Sequence, residues 1–268
     1  MKNIFLIIVS LFLLTSCEKE IDLDLDDQSG NIVIEANVTN QPGPYQVKIN
    51  KSVAFTENNM YPVVSNALVV LSDNTGQTET LNHIGQGIYQ TTTFTAVPGR
   101  TYTLKISAEG KEYTATSTMP QPVLLEDLQQ DSFMVAGELS YTLLPIFTDP
   151  YSLGNRYLFS YRVNNSKKIY EAFSDNVNNG LLNQRPLLLP NDDEDGETEK
   201  TKVGDTIYVE MQCIDTNVFT YFSALLQIID GGGPGGGITP SNPPSNISNG
   251  ALGYFSAHTV SKLSYVIQ

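Results

Sequence analysis

Tryptophan is missing from this chain, and the residue types that most often carry chemistry are scarce: two histidines and two cysteines in 268 residues. Histidine is the commonest general base and a frequent metal ligand. His83 and His258 stand alone in sequence and fall in different expected domains, so a histidine-based triad or metal site would need contact between those domains. No Gly-x-Ser-x-Gly elbow, His-Glu-x-x-His pair or Cys-x-x-Cys pair occurs, which removes the usual nucleophile, zinc and redox signatures. Cations are also few, 15 Lys and Arg against 29 Asp and Glu, for a net charge of −14. Without a clustered basic face, nucleic acid is excluded as a partner. The lack of tryptophan weighs against a sugar-stacking platform, although 14 tyrosines are available in its place.

Long apolar runs are absent but for one, Ile4 to Leu14, which follows Lys2 and leads into Leu14-Thr15-Ser16-Cys17. Eleven residues reach about 16 Å as a helix, whereas a membrane span needs roughly 20 residues. The run is therefore an export signal. Small residues just before a cysteine resemble the lipobox of bacterial lipoproteins, which implies cleavage of residues 1–16 and a lipid anchor on Cys17. An ordinary secretory signal with a chance cysteine is the alternative. Losing residues 1–16 removes only Lys2, taking the net charge from −14 to −15. With Cys17 lipidated, Cys213 has no partner, and an internal disulfide is excluded.

Residues 17–30 are dominated by Asp and Glu with Lys19 as the single base, so they read as an extended acidic tether. Acids close behind a lipidated cysteine resemble the tags that carry lipoproteins of Bacteroidota-type bacteria to the cell surface. A solvated linker on the periplasmic face is the other reading.

From 31 to 120 the chain alternates apolar and polar residues in short β-branched and aromatic segments. Ile32–Val38, Tyr45–Ile49, Ala67–Leu71, Gly87–Thr91, Tyr102–Ile106 and Glu112–Thr116 are expected strands, separated by turns such as Asp73-Asn74-Thr75-Gly76 and Pro98-Gly99. This pattern predicts an antiparallel β-sandwich. Gly87-Ile88-Tyr89 and Pro98-Gly99-Arg100-Thr101-Tyr102 resemble the immunoglobulin-like and carboxypeptidase-regulatory-like modules, a likeness of architecture only. Pro120 and Pro122 cannot sit in a central strand, so a boundary is expected there. A second β-rich domain, 121–268, comes next, with longer strands at Leu139–Phe147, Tyr157–Val163, Ile207–Ile214 and from Gly253 onward. Val218, Phe222, Leu225 and Ile229 share a helical face after the capping candidates Asp215 to Asn217, which predicts one packed helix near 216–229. Segments 191–202 and 231–249 read as long, flexible loops, where binding surfaces tend to lie.

Motifs that carry chemistry are few. The glycine tract 231–237 comes after a helix, the reverse of the strand-to-helix setting of a phosphate cradle. Asp192, Asp193 and Asp195 with Gly196 form the one metal candidate, weak and for calcium; an EF-hand is rejected because Lys202 stands where a bidentate glutamate belongs. No pair of acids is singled out for glycoside hydrolysis. Tyr221, Phe222, Tyr254 and Phe255 read as core.

Several blocks together resemble domain of unknown function family 4249: Phe147-Thr148-Asp149-Pro150, Asn155-Arg156-Tyr157-Leu158-Phe159, Gly204 to Glu210, Asn242 to Ile247 and Gly253 to Ala257. The resemblance implies a lipoprotein of a Bacteroidota-type outer membrane and an accessory role beside a TonB-dependent receptor. It brings no catalytic residues and no cofactor. The expectation is a non-enzymatic, surface-exposed protein that helps such a receptor capture or take up an unidentified nutrient or extracellular ligand. A free-standing adhesin or glycan-binding protein is the alternative, and a hydrolase with an unrecognised carboxylate pair is a third class.

Overall fold

A computed structural model describes residues 29–54, 60–135, 137–175, 179–191, 200–229 and 242–268. These residues form strands β1 (Ile32–Thr39), β2 (Gln46–Lys51), β3 (Leu68–Asp73), β4 (Thr78–Thr80), β5 (Asn82–Gly85), β6 (Ile88–Gln90), β7 (Thr101–Ala108) and β8 (Lys111–Thr118). The second half adds β9 (Asp127–Val135), β10 (Glu138–Thr148), β11 (Asn155–Val163), β12 (Ile169–Asp175), β13 (Leu182–Asn183), β14 (Leu187–Leu188), β15 (Thr206–Cys213) and β16 (Leu252–Val266), with helix α1 (Thr216–Ile229) before β16.

An eight-stranded sheet in the order β12-β11-β15-β16-β1-β2-β6-β5 runs the length of the molecule. Two smaller sheets pack on one of its faces. The sheet β4-β3-β7-β8 closes the first core over Ile34, Ile49, Tyr89 and Phe255, and the sheet built on β10 with β9, β13 and β14 closes the second over Phe147, Phe159 and Met211. The alternation of buried and exposed residues along β1 and β8 is the period-two pattern that places every second side chain inside. The mainly β, sandwich architecture expected from the sequence is what the chain adopts.

Buried tyrosines in the first sandwich tie loops to strands. Tyr89 Oη donates to Val64 O (2.9 Å) and accepts from Ala67 N (2.9 Å), while Tyr102 Oη donates to Val97 O (2.9 Å) and accepts from Val97 N (2.6 Å). The Gly-x-Tyr and Pro-Gly-x-x-Tyr motifs are thus anchors: each ring fills the core and each hydroxyl bonds the backbone of a neighbouring loop.

The division at residue 120 needs amending. β16 pairs in parallel with β1 over Leu252 to His258 and antiparallel with β15 over Thr259 to Val266, so one strand serves both sandwiches in turn. Ile247, Ala251, Phe255 and Ala257 belong to the first core, although they lie in the stretch assigned to the second domain. Nor is the described end of the 231–249 loop free. Asn246 Nδ2 donates to Phe255 O (2.7 Å), its Oδ1 accepts from Phe255 N (2.9 Å), and Ser248 N donates to Thr114 O (2.9 Å). A side-chain amide here stands in for a neighbouring strand along the β16 edge. Residues 246–249 are therefore pinned along β8, which corrects the expectation of a flexible loop for that part.

Candidate functional site

Helix α1 lies on the face of the long sheet opposite both cores. Asp215 is its cap: Oδ1 accepts from Val218 N (2.9 Å), and Oδ2 accepts from Ser117 Oγ (2.5 Å) and Thr118 N (3.1 Å), tying the helix start to β8. Val218 and Phe222 bury against Leu158 and Ile214. Of the four aromatics expected in the core, Phe222 and Phe255 are buried, while Tyr221 and Tyr254 are only half-buried. With the more exposed Tyr170 they form a ring cluster: Tyr170 to Phe222 at 6.1 Å, Phe222 to Tyr254 at 4.9 Å and Tyr221 to Tyr254 at 5.0 Å. Burial pushes the three hydroxyls up, Tyr221 to about 12, and the nearby Glu35 carboxylate adds to each shift.

Past the helix the same face continues with polar side chains. Strand register sets Tyr170, Ser160, Glu210 and Lys262 in one row across four strands, and Arg162, Tyr208 and Ser264 in the next. Lys168 joins them from the β11–β12 turn. Of these, Ser160, Arg162, Lys168, Tyr208, Glu210 and Lys262 line a cavity of about 250 Å³. The Arg162 guanidinium lies over the Tyr208 ring at 5.0 Å. Glu210 accepts from Gln212 Nε2 (2.6 Å) and pairs with Lys262 Nζ (3.0 Å). Burial pushes the Glu210 carboxyl up, but those two hydrogen bonds and the charges of Lys262 and Lys168 outweigh it, so the group sits below the usual carboxylate range. The Ser160 hydroxyl is buried on the cavity wall with no hydrogen-bond partner among the described residues.

A second surface is the β9–β10 hairpin. Phe133, Met134, Val135 and Leu139 are all exposed on it, and β9 pairs only with β10 among the described strands. Adjacent apolar side chains beside an unpaired strand edge invite another protein chain. At the hairpin base, Glu138 pairs with Lys200, and a hollow of about 740 Å³ opens between Leu139, Tyr141 and Val203.

Elsewhere the chemistry-bearing residues are structural. His258 is sealed, sharing a hydrogen bond with Ser256 Oγ (2.8 Å), and His83 packs its ring on Tyr89 at 4.9 Å, so the two histidines do not form one site. Cys213 is a buried free thiol whose pKa burial pushes up. The Phe-Thr-Asp-Pro and Asn-Arg-Tyr blocks meet as a buried network in which Tyr157 Oη donates to Asp149 Oδ1 and Asn155 Nδ2 donates to Asp149 Oδ2 (3.2 Å). Cys17 and the calcium candidate Asp192, Asp193 and Asp195 lie outside the described residues. Among the described residues no group of three His, Cys, Asp or Glu side chains is placed to hold a metal, and no helix is long and apolar enough to cross a membrane.

Sequence reasoning missed Ser160, Arg162, Lys168, Tyr208, Glu210 and Lys262, which come from three strands and a turn spread over about a hundred residues. The one local signal was in β15, where Tyr208 and Glu210 alternate with the core residues Ile207 and Val209.

The family described as Domain of unknown function (DUF4249) matches residues 18–264. No curated protein matches the chain. Among solved structures, a two fibronectin type-III domain segment from chicken tenascin is similar at 12% identity, over 70% of this chain and 92% of that one, with a TM-score of 0.23.

Proposed function

The chain belongs to the DUF4249 family, and from that premise we propose that it is a non-enzymatic outer-membrane lipoprotein, held by Cys17 on the cell surface, that docks on a TonB-dependent receptor and assists cargo capture. The observation that carries this reading is the β9–β10 hairpin, with Phe133, Met134, Val135 and Leu139 exposed beside an open strand edge. Such a surface gains free energy when a partner adds backbone hydrogen bonds along β9 and covers the apolar side chains. The apolar run before Cys17 and the acidic tether behind it support the location.

The test is a mild-detergent pull-down of the tagged, lipidated chain from its native outer membrane, with the co-purifying proteins identified by mass spectrometry. A stoichiometric receptor is expected, lost with Cys17→Ala and lost again, with the protein still membrane-bound, when Phe133 and Met134 are changed to serine. Recovery of the protein alone would overturn the receptor role. The second reading, a free-standing adhesin or glycan binder, is favoured by the half-exposed rings of Tyr170, Tyr221 and Tyr254 beside Glu35. Binding on a glycan array without any receptor would select it.

A further inference from the structure

We propose that the cavity between Ser160, Arg162, Lys168, Tyr208, Glu210 and Lys262 is a binding site for a small solute bearing one oxyanion group, a carboxylate or a phosphate. The site stands whether or not the chain docks on a receptor.

Charge in this cavity runs opposite to that of the chain as a whole. Three cations and one carboxylate meet here, a local balance of +2, in a chain whose net charge is −14. Glu210 is already satisfied by Lys262 and Gln212, so it asks for no further cation. Arg162 and Lys168 have no carboxylate within ion-pair reach among the described residues. Among the described residues, two cations without a direct ion pair are therefore left lining one cavity, Lys168 acting on Glu210 only through its field.

Geometry then narrows the partner. The Arg162 guanidinium rests over the Tyr208 ring at 5.0 Å, a contact that uses none of its N–H groups, and a guanidinium binds a carboxylate or phosphate through two parallel hydrogen bonds. Lys262 is held at the wall by Glu210 and keeps two further protons to donate. Ser160 is 2% exposed, and its hydroxyl has no hydrogen-bond partner among the described residues. A buried hydroxyl left unpaired costs free energy that a ligand oxygen would recover. Size sets the last limit. A cavity of about 250 Å³ lies below the usual range for drug-sized ligands, so it suits inorganic phosphate, a short hydroxy acid or a single acidic sugar rather than a polymer.

Calorimetric titration of the full chain in mild detergent tests this, using inorganic phosphate, glucuronate and uncharged glucose, each at low and raised sodium chloride. Saturable binding of at least one of the two anions is expected, weakened by salt, with none for glucose. Phosphate alone would mark a phosphate site and glucuronate alone a carboxylate site. Arg162→Gln and Lys168→Gln should each weaken binding about tenfold, as loss of a charge-assisted hydrogen bond does. Lys168 is exposed in a turn, so its variant keeps the fold even if that of Arg162 does not, and thermal melts of both check this. The proposal is overturned if neither anion binds above the chloride background, or if Lys168→Gln binds as the unaltered chain does.

Discussion

At His258 the fold has turned a reactive residue type into a packing element with a pH cost. Burial, the largest effect, pushes its pKa from 6.5 down to about 4; the Glu210 carboxylate pulls it up slightly and the Lys262 ammonium opposes that. The unfolded chain therefore binds more protons than the folded one throughout the window between those values. Stability from this group is complete above pH 6.5 and is lost as pH falls toward 4, by roughly 2–3 kcal/mol at pH 4.5. Urea unfolding at pH 7 and pH 4.5 should show that loss in the native chain and a smaller one in His258→Gln, because the carboxylates common to both cancel in the comparison. Equal losses would mean that the imidazole is not held neutral by burial. That the histidines do not form one site was legible from their isolation in sequence, but that one is sealed was not, because position 258 lies where β16 pairs with β1, some 220 residues away.

Among the elements, β16 is the most constrained, and the constraint has one address. Gly253 has φ +90°, and a Cβ there would meet Ile34 O at 2.1 Å, so the parallel β1–β16 pair closes only around a glycine. Gly250 also has a positive φ (+73°), but a Cβ there meets nothing within 4 Å. Gly250→Ala should cost about 1 kcal/mol, the backbone penalty alone, and Gly253→Ala on the order of 3–5 kcal/mol, because backbone strain and a backbone clash add. Chemical denaturation of the pair separates them, and equal costs would show that the strands can part without loss. Helix α1 was legible because Val218, Phe222, Leu225 and Ile229 recur at helical spacing behind an aspartate that does cap it. β9 was not, since Leu128 is its single buried residue and a strand with nearly all its side chains in solvent carries no alternation to read. The cationic cavity was equally hidden, because only strand register assembles it.

For the whole molecule, local pattern announced ten of the strands, β1 and β16 among them, but not the pairing of those two, which joins residues some 220 positions apart; alternation says that a strand has one buried face, not which strand lies beside it. That pairing decides how the protein unfolds. A chain ending after Pro122 would lack Ile247, Phe255 and Ala257 from the first core and would leave the β1 edge without its partner. Removing a buried phenylalanine alone costs about 3–5 kcal/mol, against a total stability of about 5–15 kcal/mol for a typical domain. The truncated chain is thus expected to show poor amide dispersion by NMR and to gain order when a peptide spanning residues 242–268 is added. The intact chain should unfold in one transition, with tyrosines of both cores reporting the same midpoint, because β16 cannot leave one sandwich while keeping its place in the other. A well-dispersed spectrum from the truncated chain alone would show instead that the first sandwich is self-sufficient and that β16 only joins two independent units.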